Sequence, residues 1–297
     1  MALRPDLADL ASRLGAPPIT RYAPSPTGYL HLGHVANAIY VWGIARWLNG
    51  RVLVRIENHD RIRSRPHYEQ AVLDDLAWLG FLTDAERASA LRQSDRHRTY
   101  EQALHSLGQS HQVYACRCSR RDVGAERYPN TCRALHLEMR AGRGVRVAME
   151  SGVETFIDGL LGRQQQSPAD ENGDLLLRDR DGHWTYQFAV TVDDMQDNVT
   201  CVVRGADLLS STGRQIRLAR MLGRTTPPVF LHHPLVFKPS GDKLSKSSGD
   251  TSVRELRAAG LTAADVIGRA AAAVGLLPAA RLVPADAVQD LVGPAAL

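Results

Sequence analysis

The chain has 297 residues, 44% hydrophobic and 23% charged, with a net charge of +4. Four cysteines in that length make no disulfide scaffold, and the longest apolar runs, near Ala270–Val274, are too short to cross a bilayer. The first twenty residues mix Asp6 and Asp9 with Arg4 and Arg13 and hold no signal-peptide core, so a soluble cytoplasmic protein of one large or two modest domains is expected, with no membrane partner.

Residues 1–18 read as a short leader ending at Ala16-Pro17-Pro18, where proline blocks helix propagation. Ile19–Ala23 is strand-like, Pro24–Gly28 a compact turn, and Gly33–Asn49 a helix closed by Asn49-Gly50. Val52–Glu57 supplies a second strand. Strand, glycine-bearing turn, helix and strand make a βαβ unit, which predicts a parallel sheet with a right-handed crossover. Pro66–Leu79 and Asp95–Leu107 carry helical periodicity. Cys116 to Gly144 is irregular and arginine-rich: between Cys116 and Arg146 eight arginines stand against Asp122, Glu126 and Glu138. Such a stretch suits an RNA backbone, contacted through phosphates rather than bases, and no DNA partner is expected.

Trp184–Val190 and Thr200–Arg204 read as strands, and Ser211–Leu222 as a helix ended by Gly223. Asp193, Asp194 and Asp197 read as a turn with local hydrogen bonding rather than a metal cluster. The turn Pro239–Asp242 presents Lys243-Leu244-Ser245-Lys246-Ser247, and the fifty residues beyond are mostly alanine-rich helix. The predicted fold class is α/β. A Rossmann-like parallel-sheet catalytic domain runs in two halves, 19–110 and 151–250, with a metal-stapled insertion at 111–150 and a short helical C-terminal extension at 251–297.

Two segments carry chemistry. In Arg21-Tyr22-Ala23-Pro24-Ser25-Pro26-Thr27-Gly28-Tyr29-Leu30-His31-Leu32-Gly33-His34, the last four residues lie where a βαβ unit places its phosphate site, at the first helix's N-terminus. His31 and His34 share one face of the opening turn, and Gly33 lets a purine or phosphate approach the backbone. Two imidazoles there can donate hydrogen bonds to charge that grows during displacement at phosphorus. Late in the chain, Lys243 and Lys246 on a glycine-turn loop can close over a leaving pyrophosphate and act chiefly in the transition state.

Both motifs together, in this order, resemble the two signature motifs of the class I aminoacyl-tRNA synthetases. Arg21–His34, Arg55-Ile56-Glu57, Val192-Asp193-Asp194 and Val202-Val203-Arg204-Gly205-Ala206-Asp207 resemble the glutamyl branch, over roughly residues 19 to 260. The resemblance implies ATP with Mg²⁺ as substrate, bound at His31, Gly33, His34 and Lys246, with His31, His34, Lys243 and Lys246 catalytic. It implies an L-glutamate pocket of Arg21, Tyr22, Ala23, Pro24, Ser25, Glu57, Tyr186 and Arg204. Arg21 would pair bidentately with the side-chain carboxylate, Glu57 would hold the α-ammonium, and Ser25, Tyr186 and Arg204 would surround the α-amino and α-carboxylate groups. Where this branch continues with Asp, the chain has Asn58-His59-Asp60, which removes one carboxylate that could pair with local arginines.

Three of the four cysteines, Cys116, Cys118 and Cys132, cluster in the arginine-rich stretch, and in a cytosolic chain that reads as metal before disulfide. Three thiolates and one further ligand satisfy a structural tetrahedral zinc. The resemblance supplies Tyr128 as the fourth ligand, and by chemistry alone His136 is the alternative. Cys201, in an apolar strand, reads as core. The fifty residues after Ser247 are too few for an anticodon-binding domain. The resemblance therefore implies transfer of glutamate to queuosine in the anticodon of tRNA(Asp). The alternatives are a tRNA 3′ end, or a small amine as the acceptor of an adenylate-forming ligase.

Overall fold

The computed structural model describes residues 5–60, 63–123, 127–237 and 251–293. Helix α1 (Leu7–Leu14) opens the chain, with Asp6 accepting hydrogen bonds from the Ala8 and Asp9 backbone N–H groups as its N-cap. Its Leu7 and Leu10 are buried in the main core. The segment expected to be a leader is therefore a packed helix, and Pro17-Pro18 follow its end instead of closing a tail.

Strands β1 (Ile19–Tyr22) and β2 (Arg51–Ile56) flank helix α2 (Leu32–Trp47) and pair in parallel, Ile19 with Arg51 through Tyr22 with Val54. That is the βαβ unit read from the sequence. Helices α3 (Pro66–Trp78) and α4 (Asp84–Ala88) lead to β3 (Leu91–Arg92), which adds to β2 in parallel. After α5 (His97–Ser110), the chain enters an antiparallel sheet of β4 (Val113–Cys116), β5 (Gly144–Val147) and β8 (Leu175–Arg178). Helix α6 (Arg120–Val123) lies between its first two strands. The hairpin β6 (Glu154–Asp158) and β7 (Gly162–Gln166) and helix α7 (Pro168–Asn172) precede its third.

Helix α8 (Tyr186–Gln196) then returns the chain to β9 (Cys201–Gly205), and α9 (Thr212–Met221) connects it to β10 (Val229–His233), parallel to β9. The expected strand Trp184–Val190 is thus a helix, started by Thr185 in an extended conformation. Strand β9 lies beside β1, where the Thr200 backbone N–H donates to the Ile19 carbonyl at 2.9 Å. The second half of the chain thereby completes the parallel layer begun by the first.

Helix α2 is apolar nearly all round, with Val35, Ile39, Tyr40, Val41, Trp42 and Ile44 buried, so it must be covered on both sides. The sheet covers one side. Helices α11 (Ala263–Ala273) and α12 (Val288–Val292), reached through α10 (Val253–Ala258), cover the other. Gly43 permits that closeness, because a Cβ there would lie 2.8 Å from Val292 Cγ2 and 3.0 Å from the Val288 carbonyl oxygen. The C-terminal helices are part of the catalytic core's packing, and no helix among the described residues is long and apolar enough to cross a membrane.

Candidate active site and cysteine centre

The parallel strands β1, β2, β9 and β10 end on one side of the sheet, where open α/β sheets place ligands. Arg21 lies next to the end of β1, Glu57 follows β2, and Arg204 and His232 lie near the ends of β9 and β10. The Glu57 backbone N–H donates to the Pro24 carbonyl at 3.0 Å, which ties the turn holding Ala23, Pro24 and Ser25 to the end of β2. Tyr186 begins α8 on the same side. Burial raises the pKa of its hydroxyl, with Arg204 and Arg21 close enough to oppose the shift and Glu57 and Asp194 close enough to add to it. Four of the expected glutamate-pocket side chains, Arg21, Glu57, Tyr186 and Arg204, are therefore close enough to act on one another. Tyr22 is different: its ring is buried 5.1 Å from Trp42, and its hydroxyl donates to the His34 carbonyl at 3.1 Å.

Behind the pocket stands a buried ion network that joins the two halves of the chain. Arg55, wholly buried, reaches Asp194 at 2.8 Å, Glu57 at 3.4 Å and Asp197 at 3.4 Å. Arg21 Nε donates to Asp194 at 3.1 Å, and its Nη1 to the Val203 carbonyl at 3.4 Å. Arg96 bonds Asp193 at 2.9 Å and Asp197 at 2.7 Å, while Gln93 and the Tyr100 hydroxyl also donate to Asp193. The three aspartates, expected in a local turn, are instead the carboxylate half of this network, at the C-terminal end of α8. Three guanidiniums meet four carboxylates, Glu57 among them, within ion-pair distance, and the charges of Arg204 and Arg224 also act on Asp194. Burial raises the Glu57 pKa, against the pull of Arg55 and Arg21.

Asn58, which stands where a carboxylate was expected, makes a reciprocal pair with Ser94: its Nδ2 donates to Ser94 Oγ at 3.1 Å and its Oδ1 accepts from Ser94 N at 2.8 Å. The substitution is thus accommodated by a neutral pair, and Glu57 keeps its place.

At the start of α2, His31 and His34 form a reciprocal cap. His31 Nδ1 accepts the Gly33 backbone N–H, and His34 Nδ1 accepts the His31 backbone N–H, both at 3.1 Å. The helix start thus satisfies part of its own donor set. With Nδ1 an acceptor on both rings, each neutral imidazole carries its proton on Nε2, a donor on the far side of the ring. Lys243 and Lys246 lie outside the described residues. A few residues beyond them, Ser252 forms a β-bridge with His31, and the Val253 N–H donates to the Leu30 carbonyl at 2.7 Å.

The antiparallel sheet carries the cysteines. The sulfurs of Cys116, Cys118 and Cys132 lie within 4.8 Å of one another, with Cys118 and Cys132 3.5 Å apart. The Tyr128 hydroxyl sits 3.4 Å from Cys116 Sγ and accepts the Cys132 N–H at 3.0 Å. Gly173, at φ 71, makes room for this arm, since a Cβ there would lie 2.0 Å from the Tyr128 carbonyl oxygen. Arg146 stacks 3.6 Å over the Tyr128 ring and donates Nε to Cys116 Sγ at 3.3 Å, a buried cation beside the sulfurs. Three thiols, a phenol oxygen and an adjacent cation fit a tetrahedral zinc site in number and in chemistry. His136 is exposed and stands outside the cluster, and Cys201 is buried in β9.

The sequence singled out Arg21, Glu57 and Arg204 but missed the buried ion network of Arg96, Asp193, Asp194 and Asp197 beside them. It also missed His232, whose polar ring in the apolar run Val229–Val236 was the available signal.

The family model for the class I tRNA synthetases (E and Q), catalytic domain, matches residues 19–267. A glutamyl-Q tRNA(Asp) synthetase of Nitratidesulfovibrio vulgaris is 40% identical over 282 residues, covering 87% of this chain and 86% of the relative. Its counterpart in Bordetella bronchiseptica is 42% identical over 266 residues, covering 84% and 82%. Among solved structures, a glutamate tRNA ligase from Elizabethkingia meningosepticum, in complex with its amino acid, superposes with a TM-score of 0.77 at 24% identity. That match covers 93% of this chain and 65% of the ligase, and it shows the fold.

Proposed function

The chain belongs to the class I tRNA synthetases of the E and Q family, and from that membership we propose that it activates L-glutamate with MgATP and transfers it to queuosine in the anticodon of tRNA(Asp). The glutamate α-carboxylate attacks the α-phosphate in line, and pyrophosphate leaves. No protein nucleophile takes part, so the catalysis is positioning and electrostatics. The relatives' names support the acceptor, and the pocket supports the amino acid.

One observation carries the amino-acid reading: Glu57 is a buried carboxylate whose ion pair among the described residues is one long contact to Arg55 at 3.4 Å, so it lacks a close positive partner. The α-ammonium of glutamate supplies it. Arg21 receives the side-chain carboxylate on the edge formed by its terminal nitrogens, since Asp194 occupies its Nε edge. Arg204 and Tyr186 line the place of the α-carboxylate, with Ser25 at the amino group. His31 and His34 donate their Nε2 protons to the phosphates, beside Gly33, and Lys243 and Lys246 act from the loop whose far end returns to His31 at Ser252.

Cys116, Cys118, Cys132 and Tyr128 would hold a zinc ion, which in a closed four-ligand site supplies folding energy and no chemistry. The insertion at 111–150 presents its exposed arginines, Arg117, Arg121, Arg127 and Arg140, to the RNA phosphates, while Arg146 stays buried against Tyr128. We retain the halves 19–110 and 151–250 as the catalytic domain around it.

Glutamate-dependent ATP–pyrophosphate exchange tests the reading. Exchange with glutamate, and far less with glutamine or aspartate, is the expected result. Absence of exchange with any amino acid would overturn it.

A further inference from the structure

Arg204 differs from the other arginines of the site. Among the described residues, no carboxylate oxygen lies within ion-pair distance of it, although it is 4% exposed. Its hydrogen bonds go to neutral groups: Nη1 to Gln215 Oε1 at 2.7 Å, Nη2 to Thr212 Oγ1 at 2.8 Å, and Nε to His232 Nε2 at 3.0 Å.

The last bond fixes a tautomer. A guanidinium Nε–H is always a donor, so His232 Nε2 must be an unprotonated acceptor and the ring proton must sit on Nδ1. Nδ1 lies 2.6 Å from Asp158 Oδ2. Asp158 is fixed in turn, because its Oδ1 accepts the backbone N–H groups of Leu160, Leu161 and His232 at 3.0, 2.9 and 3.2 Å. His232 is 0% exposed and Asp158 is 2% exposed. Burial holds the His232 pKa down, and the charges of Arg204 and Arg21 add to it, against Asp158. The geometry is written into the strand pairing, since His232 and Arg204 are direct partners in the β9–β10 register.

We propose that Asp158 and His232 are positioning residues for the amino acid: through an imidazole locked as the Nδ1–H tautomer, they fix the roll of the Arg204 guanidinium so that it meets the substrate's α-carboxylate. A carboxylate in direct contact would orient Arg204 equally well, but it would neutralise the charge and occupy the edge the substrate needs. An interposed neutral ring orients the guanidinium with a dipole and leaves its charge for the ligand. The inference rests on the assignment of Arg204 to the α-carboxylate made above.

The test uses Asp158→Asn and His232→Gln in the exchange assay. In Asp158→Asn the amide can still accept from Leu160 and Leu161, but it no longer demands the Nδ1 proton. The ring can then turn an Nε2–H against Arg204. KM for glutamate should rise about tenfold, the usual effect of losing one hydrogen bond to a charged group, with KM for ATP within about twofold of wild type. Competitive inhibition by 4-aminobutyrate, which has no α-carboxylate, should also change by less than about twofold. His232→Gln keeps an acceptor for Arg204 and should fall between the two. Unchanged glutamate KM in both variants, or parallel weakening of glutamate and 4-aminobutyrate, would overturn the inference. Wild-type protein without glutamate-dependent exchange would instead remove the assignment of the pocket.

Discussion

His31 and His34 cap the same helix by exchanging bonds: His31 Nδ1 takes the Gly33 N–H, and His34 Nδ1 takes the His31 N–H, with the ring centroids 3.9 Å apart. Both rings are thereby locked as Nε2–H donors, so a capping role and a catalytic role sit on different nitrogens of one side chain. The two roles can be separated by mutation. His31→Asn retains an oxygen that can cap Gly33 and should unfold at nearly the wild-type temperature, yet it lacks the Nε2 donor and should slow adenylate formation on the order of a hundredfold. His31→Ala should lose the cap as well, costing about 1 kcal/mol. Thermal denaturation and pyrophosphate exchange on both variants check this. Wild-type turnover in His31→Asn would remove the imidazole from the mechanism.

Glu57 should behave as a ligand for the ammonium group and as a burden to the empty protein. Its carboxylate is desolvated, and its pKa is raised by that burial despite Arg55 and Arg21. A raised pKa in the folded state means that the ionised form weakens the fold at neutral pH. Glu57→Gln should therefore leave the melting temperature unchanged or higher, while KM for glutamate rises on the order of a hundredfold for the lost charged hydrogen bond. Calorimetry and exchange kinetics together decide it.

Asp75 offers a pH test remote from the substrate. It is 2% exposed, its Oδ2 has no hydrogen-bond partner, and burial raises its pKa from 3.8 to about 6, with Arg254 opposing, Asp74 adding and Arg257 opposing. The folded chain holds this proton more tightly than the unfolded chain. The group therefore favours folding below its unfolded value near 3.8, and that contribution disappears as pH rises through about 6. Asp75→Asn should stabilise the protein at pH 7.5 by about 2 kcal/mol, and the gain should shrink towards zero at pH 4. Denaturant melts at the two pH values measure it.

The boundary between what the sequence displays and what it hides is physical. The βαβ unit around α2 was legible because Asn49-Gly50 and the flanking apolar runs act locally, and Asn49 indeed sits at φ 54 after the helix. Arg21, Glu57 and Arg204 came from the resemblance of Arg21–His34, Arg55-Ile56-Glu57 and Val202–Asp207 to the glutamyl branch, and not from any local pattern. Trp184–Val190 was misread because Trp, Thr, Tyr, Phe and Val favour strands. In the fold, Phe188, Ala189, Val190 and Val192 are buried from several directions, and that packing outweighs local preference. The pairing of Arg55 with Asp194, and of Asp158 with His232, joins residues far apart in sequence. No local window contains both halves of such a pair.

The cysteine centre predicts about one equivalent of zinc per chain in purified protein, lost in Cys118→Ser together with part of the thermal stability. In metal-free protein, Cys118 and Cys132, with sulfurs 3.5 Å apart, should be the pair that oxidant joins. Elemental analysis and a peptide map of the oxidised protein report both. Metal-free wild type with free thiols would contradict the assignment.

The central claim is that an activated glutamate passes to queuosine in tRNA(Asp). Pure protein with ATP, Mg²⁺ and labelled glutamate should be given tRNA(Asp) bearing queuosine, or the same tRNA without it. The account predicts label on the queuosine-bearing tRNA alone. Equal labelling of both, or labelling of a tRNA(Glu) 3′ end in their place, would contradict it and make the chain a minimal glutamyl-tRNA synthetase.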